Sequence, residues 1–284
     1  MLRAANLIAT IVICATAVQA ADNFITIRGS HLIGQAVADA SGAMKESLGI
    51  EYRVVGDSSA SAIYTVAEGI VDVALSTRSL QADERARWPA KTFSESIIGK
   101  QAVVLVVAKQ VWEGGIRALT KEQFRQIYEG EVKNWKQLGG PDREVKFYNR
   151  DVGKGIWDLA MIFTYNDVRR APLSKAEVLS EAGEVVSAIE FNGGSISLLE
   201  YGAFKPGPYI HALGIKLADG TVVEPTPANI STGKYDLSRP LFIITSKRAT
   251  GKVRNFIEFM QDAKGQAFIK KANHLTLEDL KVRN

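Results

Sequence analysis

Serine, threonine and glycine residues recur where strand-like runs of the chain break off ahead of helix-like segments. Gly29-Ser30, Ser58-Ser59 and Ser76-Thr77 each stand at such a break. Hydroxyl groups donate hydrogen bonds, glycine lets a ligand approach the backbone, and the free N–H groups at a helix start attract negative charge. These three breaks therefore predict loops that bind a small anion with several acceptor oxygens.

A fourth break adds positive charge to the same pattern. Asn149-Arg150 follows a strand-like run and leads through Lys154-Gly155 into an apolar segment with helical spacing. Arg150 would supply the main charge, because a guanidinium donates to two oxygens of one anion at once. Two alternatives stay open at this point: each serine caps a helix, and Arg150 forms a surface salt bridge.

The elements that would position these loops alternate between strand and helix. The continuous apolar run Ala102 to Ala108 suits a strand buried on both faces, and Thr120 and Gln123 have the spacing of a capping box. Further along, we predict a helix over 175–182 and a short strand over 185–191. The alternation predicts an α/β fold with parallel sheets, in which ligands bind at the carboxyl ends of the strands.

The first twenty residues have the pattern of a secretory signal peptide. Arg3 precedes an apolar run over 7–18, and Val18-Gln19-Ala20 ends in the small residue that a cleavage site requires. An uncleaved anchor is the alternative, but the run has about twelve residues, and a membrane span needs about 20. The sole cysteine, Cys14, lies in this run, so the mature chain is expected to have neither disulfides nor thiolate metal sites.

Charge and motifs exclude several classes of function. The formal charge is +4, and Lys and Arg are interspersed with acids instead of forming a run that would bind nucleic acid or a membrane. No spacing of His, Asp and Glu is typical of a metal site, and no phosphate-binding P-loop or dinucleotide fingerprint occurs. We therefore expect no cofactor and no nucleic-acid partner.

The chain resembles the PstS-like family of type II periplasmic binding proteins, the phosphate-binding components of bacterial ABC importers. The similar segments occur in family order over nearly all of the mature chain. They are Ile25-Thr26-Ile27-Arg28-Gly29-Ser30, Val55-Gly56-Asp57-Ser58-Ser59, Glu68-Gly69-Ile70-Val71-Asp72-Val73-Ala74-Leu75-Ser76, Leu119-Thr120-Lys121-Glu122-Gln123, Ile127-Tyr128-Glu129-Gly130, Asn134-Trp135, Asn149-Arg150, Gly153-Lys154-Gly155 and Arg239-Pro240-Leu241.

This resemblance implies two α/β lobes with a mainly parallel sheet in each, joined by hinge strands, and a ligand bound in the cleft between the lobes. Lobe 1 would comprise 22–106 and 241–284, and lobe 2 would comprise 107–240. It also implies a non-enzymatic, monomeric protein of the periplasm, with inorganic phosphate or a related oxyanion as ligand and an inner-membrane ABC permease as partner. The site residues carried over by position are Ser30, His31, Ser59, Ser76, Thr77, Arg150, Lys154 and Gly155.

The chain departs from the family pattern at several of these positions. His31 stands where a hydroxyl residue is usual, and Thr77 stands where some members have aspartate. The fourth loop has Lys154-Gly155-Ile156 in place of a Ser-Gly-Thr triplet, so it loses two hydroxyl groups and gains a cation. Lys154 either replaces those donors by its charge or marks a different anion. A third alternative is a degenerate fold that acts as an envelope sensor or interaction module.

Three residues keep alternatives of their own. Gly56-Asp57-Ser58 is similar to the motif of certain hydrolases with Ser58 as nucleophile, but no acid stands three residues before His274 to orient it as a base. Asp57 either accepts the proton of a monohydrogen anion or caps a helix. His31 either binds the anion as an imidazolium, which would make the affinity depend on pH, or is an ordinary polar loop residue.

Overall fold

The computed structural model describes residues 23–152, 154–246, 249 and 251–281. The expected signal peptide at 1–20 lies outside the described residues, as does Gly153 of the fourth loop. The chain forms two compact units: the first comprises Met1–Ile98 and Leu241–Phe268, and the second comprises Gly99–Pro240 and Ile269–Asn284.

These units differ from the expected lobes in two stretches, 99–106 and 269–284, which belong to the second unit and not to the first. The difference has a physical cause in each case. From Val103 onward, the first stretch pairs with strands of the second unit. The backbone of Leu275 exchanges hydrogen bonds with Lys100 at 2.8 and 3.0 Å, which ties the C-terminal segment to the same unit.

The first unit alternates strands and helices from the start of the described chain. Its elements are β1 (Phe24–Gly29), α1 (His31–Asp39), α2 (Ser41–Leu48), β2 (Glu51–Gly56), α3 (Ser59–Ala67), β3 (Val73–Ser76) and α4 (Ala82–Arg87). Strand β4 (Ser94–Ala108) leads into the second unit. Strand β10 (Ser238–Thr245) leads back, and helix α10 (Gly251–Gln261) follows it.

The sheet of the first unit has the order β2-β1-β3-β10. Its first three strands are parallel, and β10 runs antiparallel to β3. Alternation along β1 buries Ile25 and Ile27, and helical spacing in α1 buries Ile33 and Val37. Because β1, β2 and β3 are parallel, the loops that follow them lie at one edge of the sheet.

The second unit is built around the inner part of β4. Its further elements are α5 (Lys109–Glu113), β5 (Ala118–Leu119), α6 (Lys121–Tyr128), a 3-10 turn (Trp135–Leu138), β6 (Lys146–Tyr148), α7 (Gly155–Tyr165), a second 3-10 turn (Val168–Arg170), α8 (Ala182–Phe191), β7 (Ser195–Glu200), β8 (Ile210–Lys216), β9 (Val222–Val223) and α9 (Pro227–Thr232). Helix α11 (Ala263–Lys271) begins in the first unit and ends in the second.

The sheet of the second unit is mixed, so the expectation of a mainly parallel sheet is wrong for this half. Strands β6 and β7 are parallel, but β4 runs antiparallel to both β7 and β8. Strand β8 also pairs in parallel with β5 and antiparallel with β9. Hydrophobic runs of strand length indicate burial but carry no direction, which explains the error.

Burial of β4 on both faces is confirmed. Val103, Leu105 and Val107 pack into one hydrophobic cluster, and Val104 and Val106 pack into another on the opposite face. Each successive side chain of a strand points to the other face, so an uninterrupted apolar run fills two layers of core.

Two local predictions had opposite outcomes. The capping box of α6 is confirmed: Thr120 Oγ1 accepts the Gln123 N–H at 3.1 Å, and Gln123 Oε1 accepts the Thr120 N–H at 2.9 Å. The helix expected over 175–182 and the strand over 185–191 are wrong, because the helix there is α8. Its start is set by Glu184, whose carboxylate accepts the backbone N–H groups that precede the helix.

Over the part of the chain that the structure describes, no helix is long and apolar enough to cross a membrane. The same residues contain no cluster of three or more His, Cys, Asp or Glu side chains that could hold a metal ion.

Candidate functional site

The first loop, between β1 and α1, depends on a glycine that no other residue could replace. Gly29 has a φ of +143°, and a Cβ at this position would overlap the backbone of Leu75 in β3. The Ser30 N–H donates to the Leu75 carbonyl at 3.0 Å, which fixes this loop against β3. Ser30 precedes α1 but makes no capping bond with its side chain, so its hydroxyl is not committed to the helix.

His31 lies over the end of the neighbouring strand. A Cβ on Gly56, the last residue of β2, would overlap the imidazole ring of His31, so the ring rests directly on the backbone there. The side chain is exposed, and it begins α1. His31 therefore links the first loop to the second and remains accessible to solvent.

The second and third loops are joined through Ser59 and Thr77. Ser59 Oγ accepts the Thr77 N–H at 3.1 Å and lies 3.4 Å from Thr77 Oγ1, and both residues are partly buried. Ser76 is different, because its buried hydroxyl donates to the Arg78 carbonyl at 2.6 Å. Ser59 and Thr77 are thus placed as donors, whereas the hydroxyl of Ser76 holds its own loop.

Asp57 and Ser58 order the second loop. Asp57 accepts the Ser58 N–H at 2.7 Å and the Ser61 hydroxyl at 2.6 Å, and its Oδ2 lies 2.7 Å from Nε of Arg28. The hydrogen bond from Ser61 is the main cause that holds the pKa of Asp57 below its usual value. Ser58 Oγ accepts the Ser61 N–H at 3.1 Å, so this serine caps α3. For Ser58, the alternative that the serines of these loops are helix caps is therefore confirmed.

Arg150 is the most deeply buried cation of the fourth loop. It is 4% exposed, and its guanidinium donates to the carbonyls of Glu181 and Ser180 at 3.3 and 3.1 Å. Glu200, at the end of β7, brings Oε1 to 3.6 Å from Nη2. Within the described residues, neither Nε of Arg150 nor Oε2 of Glu200 has a hydrogen-bond partner. The surface salt bridge is therefore wrong as an account of Arg150, which is oriented from within the unit.

Lys154, at the start of α7, is already paired. Its Nζ lies 2.7 Å from Oδ2 of Asp151, and this contact raises the pKa of Lys154 and lowers the pKa of Asp151. Its side chain is 58% exposed and makes no capping bond to the helix. The cation that the sequence places in this loop thus adds little net charge to it.

Gly155 begins α7 and is bound by a residue from a distant part of the sequence. Nη2 of Arg239 donates to the Gly155 carbonyl at 3.1 Å, and Nε of Arg239 donates to Oε1 of the buried Gln101 at 2.8 Å. Asp158, one turn into α7, is the acid whose charge acts on Arg239. Burial raises the pKa of Asp158, and the charge of Arg239 opposes that rise.

The predicted residues therefore form two groups, each within one unit. The first group lies at the carboxyl edge of β1, β2 and β3 and comprises Ser30, His31, Ser59 and Thr77. Ser76 is the last residue of β3. Arg150, Lys154 and Gly155 surround the start of α7. Their roles as ligands stay predictions.

Four residues that hold the second group in place were not predicted from the sequence. They are Glu200, Arg239, Gln101 and Asp158. Only Arg239 carried a signal, since it belongs to one of the segments that resemble the PstS-like family. The other three gave none, because their partners lie far away along the chain.

The chain is similar to known proteins in both family and sequence. A family model described as a PBP superfamily domain matches residues 15–264. The phosphate-binding protein PstS of Borreliella burgdorferi is 26% identical over 215 residues, which are 74% of this chain and 74% of that protein.

Solved structures agree on the fold. PstS from Borrelia burgdorferi superposes with a TM-score of 0.70 at 23% identity, over 89% of this chain and 98% of the other. An ABC-type phosphate transport receptor from Vibrio cholerae superposes with a TM-score of 0.65 at 21% identity, over 89% of this chain and 99% of the other. Identities this low establish a shared fold and leave the ligand to be argued from the residues.

Proposed function

Because this chain belongs to the PBP superfamily, we propose that it captures a small oxyanion, inorganic phosphate, and delivers it to the permease of an ABC importer. Its relatives are named as phosphate-binding proteins and as a phosphate transport receptor, which supports a transport protein over an enzyme. In this proposal the protein acts outside the inner membrane, after export by its N-terminal signal.

Arg150 is the observation that carries the proposal. A guanidinium that is 4% exposed loses most of its hydration, and its Nε–H has no acceptor within the described part of the chain. Buried donors in proteins almost always have an acceptor, so an oxygen of the ligand is the natural partner for this one. Glu181, Ser180 and Glu200 keep the guanidinium oriented, and the anion then binds a charge that is already in place.

Neutral donors that could bind an oxyanion are present in each unit. The Ser30 hydroxyl is not used by α1, and Ser59 and Thr77 bring two hydroxyl groups within 3.4 Å of each other. Helix α7 begins without a side-chain cap, so its first N–H groups can donate to an anion near Gly155. An oxyanion such as phosphate accepts several such bonds at once. No covalent step is needed.

Isothermal titration calorimetry of the purified protein with phosphate, sulfate, molybdate and arsenate tests the proposal. We expect Arg150→Gln to weaken phosphate binding at least about 30-fold, because it removes the buried charge. We expect Ser58→Ala to leave the affinity within about threefold, because that hydroxyl already accepts the Ser61 N–H. Thermal unfolding without ligand identifies a variant that has merely lost its fold.

Two results would overturn the proposal. One is the absence of heat with any of the four anions in the wild-type protein, which would favour the sensor or interaction module instead. The other is an equal loss of affinity in Arg150→Gln and Ser58→Ala, which would mean that the anion binds elsewhere.

A further inference from the structure

Three cations lie around the start of α7 in the second unit, and they differ in how their charge is balanced. Lys154 has a carboxylate 2.7 Å away in Asp151, and Arg150 has one 3.6 Å away in Glu200. The guanidinium of Arg239 has no carboxylate within 4.0 Å among the residues described. Its charge is the one that the protein leaves without a close counter-ion.

The hydrogen-bond partners of Arg239 are neutral groups. Oε1 of Gln101, a residue only 1% exposed, accepts from Nε at 2.8 Å, and the Gly155 carbonyl accepts from Nη2 at 3.1 Å. A guanidinium carries five N–H donors, so these two bonds use only part of its capacity. Burial lowers the pKa of Arg239 to about 10, so it remains a cation at neutral pH.

Within the described residues, the titratable groups nearest to Arg239 form no close ion pair with it. The charge of Asp158 acts on Arg239 from beyond ion-pair distance, and burial raises the pKa of Asp158. His274 packs within the same unit and is 4% exposed. Burial, with a smaller effect of Arg239, lowers the pKa of His274 to about 4, so its imidazole is neutral at physiological pH.

We propose that Arg239 supplies the second positive charge of the oxyanion site, at the first residue of α7. This inference rests on the proposed function and names a further residue of the same site. A partly buried cation without a close counter-ion carries a desolvation cost, and a bound anion at this helix start would reduce that cost. The helix start and the guanidinium attract the same ligand, because both present N–H donors and positive charge beside Gly155.

Arg239 takes the role that the sequence suggested for Lys154. The lysine is exposed and neutralised by Asp151, whereas the arginine is held in one orientation by Gln101 and by the Gly155 carbonyl. A fixed guanidinium binds an oxyanion through two oxygens, which a mobile ammonium cannot do. The loss of the two family hydroxyl groups at Lys154 and Ile156 is thus balanced by a charge from β10.

Calorimetric titration with inorganic phosphate of the wild type, Arg239→Gln, Arg239→Lys and the control Arg169→Gln tests the proposal. Arg169 belongs to the same unit, but its side chain is 86% exposed and paired with Asp167. We expect Arg239→Gln to weaken binding at least about tenfold, Arg239→Lys to weaken it less, and the control to match the wild type. The loss in Arg239→Gln should be larger at pH 8 than at pH 6, because phosphate then carries more negative charge.

The outcomes separate the two proposals. Phosphate affinity within about threefold of the wild type in Arg239→Gln overturns the role of Arg239 and leaves the proposed function standing. Equal losses in Arg239→Gln and Arg239→Lys, unchanged between pH 6 and pH 8 and accompanied by a lower unfolding temperature without ligand, also overturn it, because Arg239 would then only support α7. A wild-type protein that binds no oxyanion overturns both.

Discussion

Lys154 and Asp151 decide how much charge the fourth loop offers to a ligand. The sequence has a lysine where the resemblance implied a hydroxyl group, and three meanings were open: replacement by charge, a different anion, or loss of binding. The ion pair with Asp151 argues against the first meaning, because the two charges nearly cancel at a distance from the pair. Substitutions at the pair test this charge balance.

At the residue scale we predict that Asp151→Asn tightens phosphate binding about threefold at low salt, because Lys154 then carries an unbalanced charge. Lys154→Gln should weaken binding by a similar factor, since Asp151 keeps its negative charge. The double variant should return to the wild-type affinity. Calorimetry at two salt concentrations measures these effects, which should shrink as the salt is raised.

A result in which Lys154→Gln alone abolishes binding while the double variant does not recover would contradict this account. It would show that the ammonium itself contacts the anion. Lys146→Gln serves as the control, because that lysine belongs to the same unit and pairs with Glu177 at 3.5 Å.

At the element scale, the C-terminal segment after α11 is part of the second unit. Leu275 pairs with Lys100 of β4, and a Cβ on Gly202 would overlap the backbone of Asn273, so the segment is packed closely. His274 lies in this segment, and within the described residues neither of its ring nitrogens has a hydrogen-bond partner. In the sequence, His274 was considered only as a hydrolase base that lacks an acid to orient it, and its burial makes it a determinant of acid stability instead.

We predict that acid destabilises the protein through His274. Its pKa is about 4 in the folded state and 6.5 for an unperturbed histidine, so the unfolded chain binds the proton first as the pH falls. The free energy of unfolding therefore decreases as the pH falls from 6.5 to 4, by about 3 kcal/mol from this group. Urea unfolding at pH 7 and pH 4.5 measures the decrease.

His274→Leu should remove most of that decrease at little cost at pH 7, since the imidazole makes no hydrogen bond that leucine would lose. His31→Gln, which replaces an exposed histidine, should keep the wild-type dependence on pH. Identical pH dependence in His274→Leu and the wild type would refute the assignment.

At the scale of the whole molecule, the chain passes between its two units three times. It crosses at Ile98–Gly99 within β4, at Pro240–Leu241 within β10 and at Phe268–Ile269 within α11. The resemblance implied strand crossings, and the helix crossing was not expected. Because the last crossing returns the chain to the second unit, both units contain segments that are far apart in sequence.

We also predict that the cell exports this molecule and cleaves it after Ala20. Mass spectrometry of the protein released by osmotic shock should give an N-terminus at Ala21. Ala20→Tyr should block cleavage, because signal processing requires a small residue at that position. A protein found in the cytoplasmic fraction with Met1 intact would contradict the proposed place of action.

Some features of this protein followed from its sequence alone. The break in the strand at Gly29, the capping box of Thr120 and the apolar run over 102–108 could be interpreted locally, because turns, capping and alternation act between residues that are close in the chain. The resemblance to the PstS-like family was also confirmed by comparison, and with it the type II binding-protein fold.

Other features were decided by the tertiary structure. Whether Arg150 is buried or exposed, and whether Lys154 or Arg239 lacks a close counter-ion, depends on Asp151, Glu200 and the backbone that surrounds them. Residues 101, 155 and 239 meet only because β4, α7 and β10 are folded together. The direction of the strands in the second unit is decided in the same way. Electrostatic balance is a property of neighbours in space, and a single sequence does not reveal which charges become neighbours.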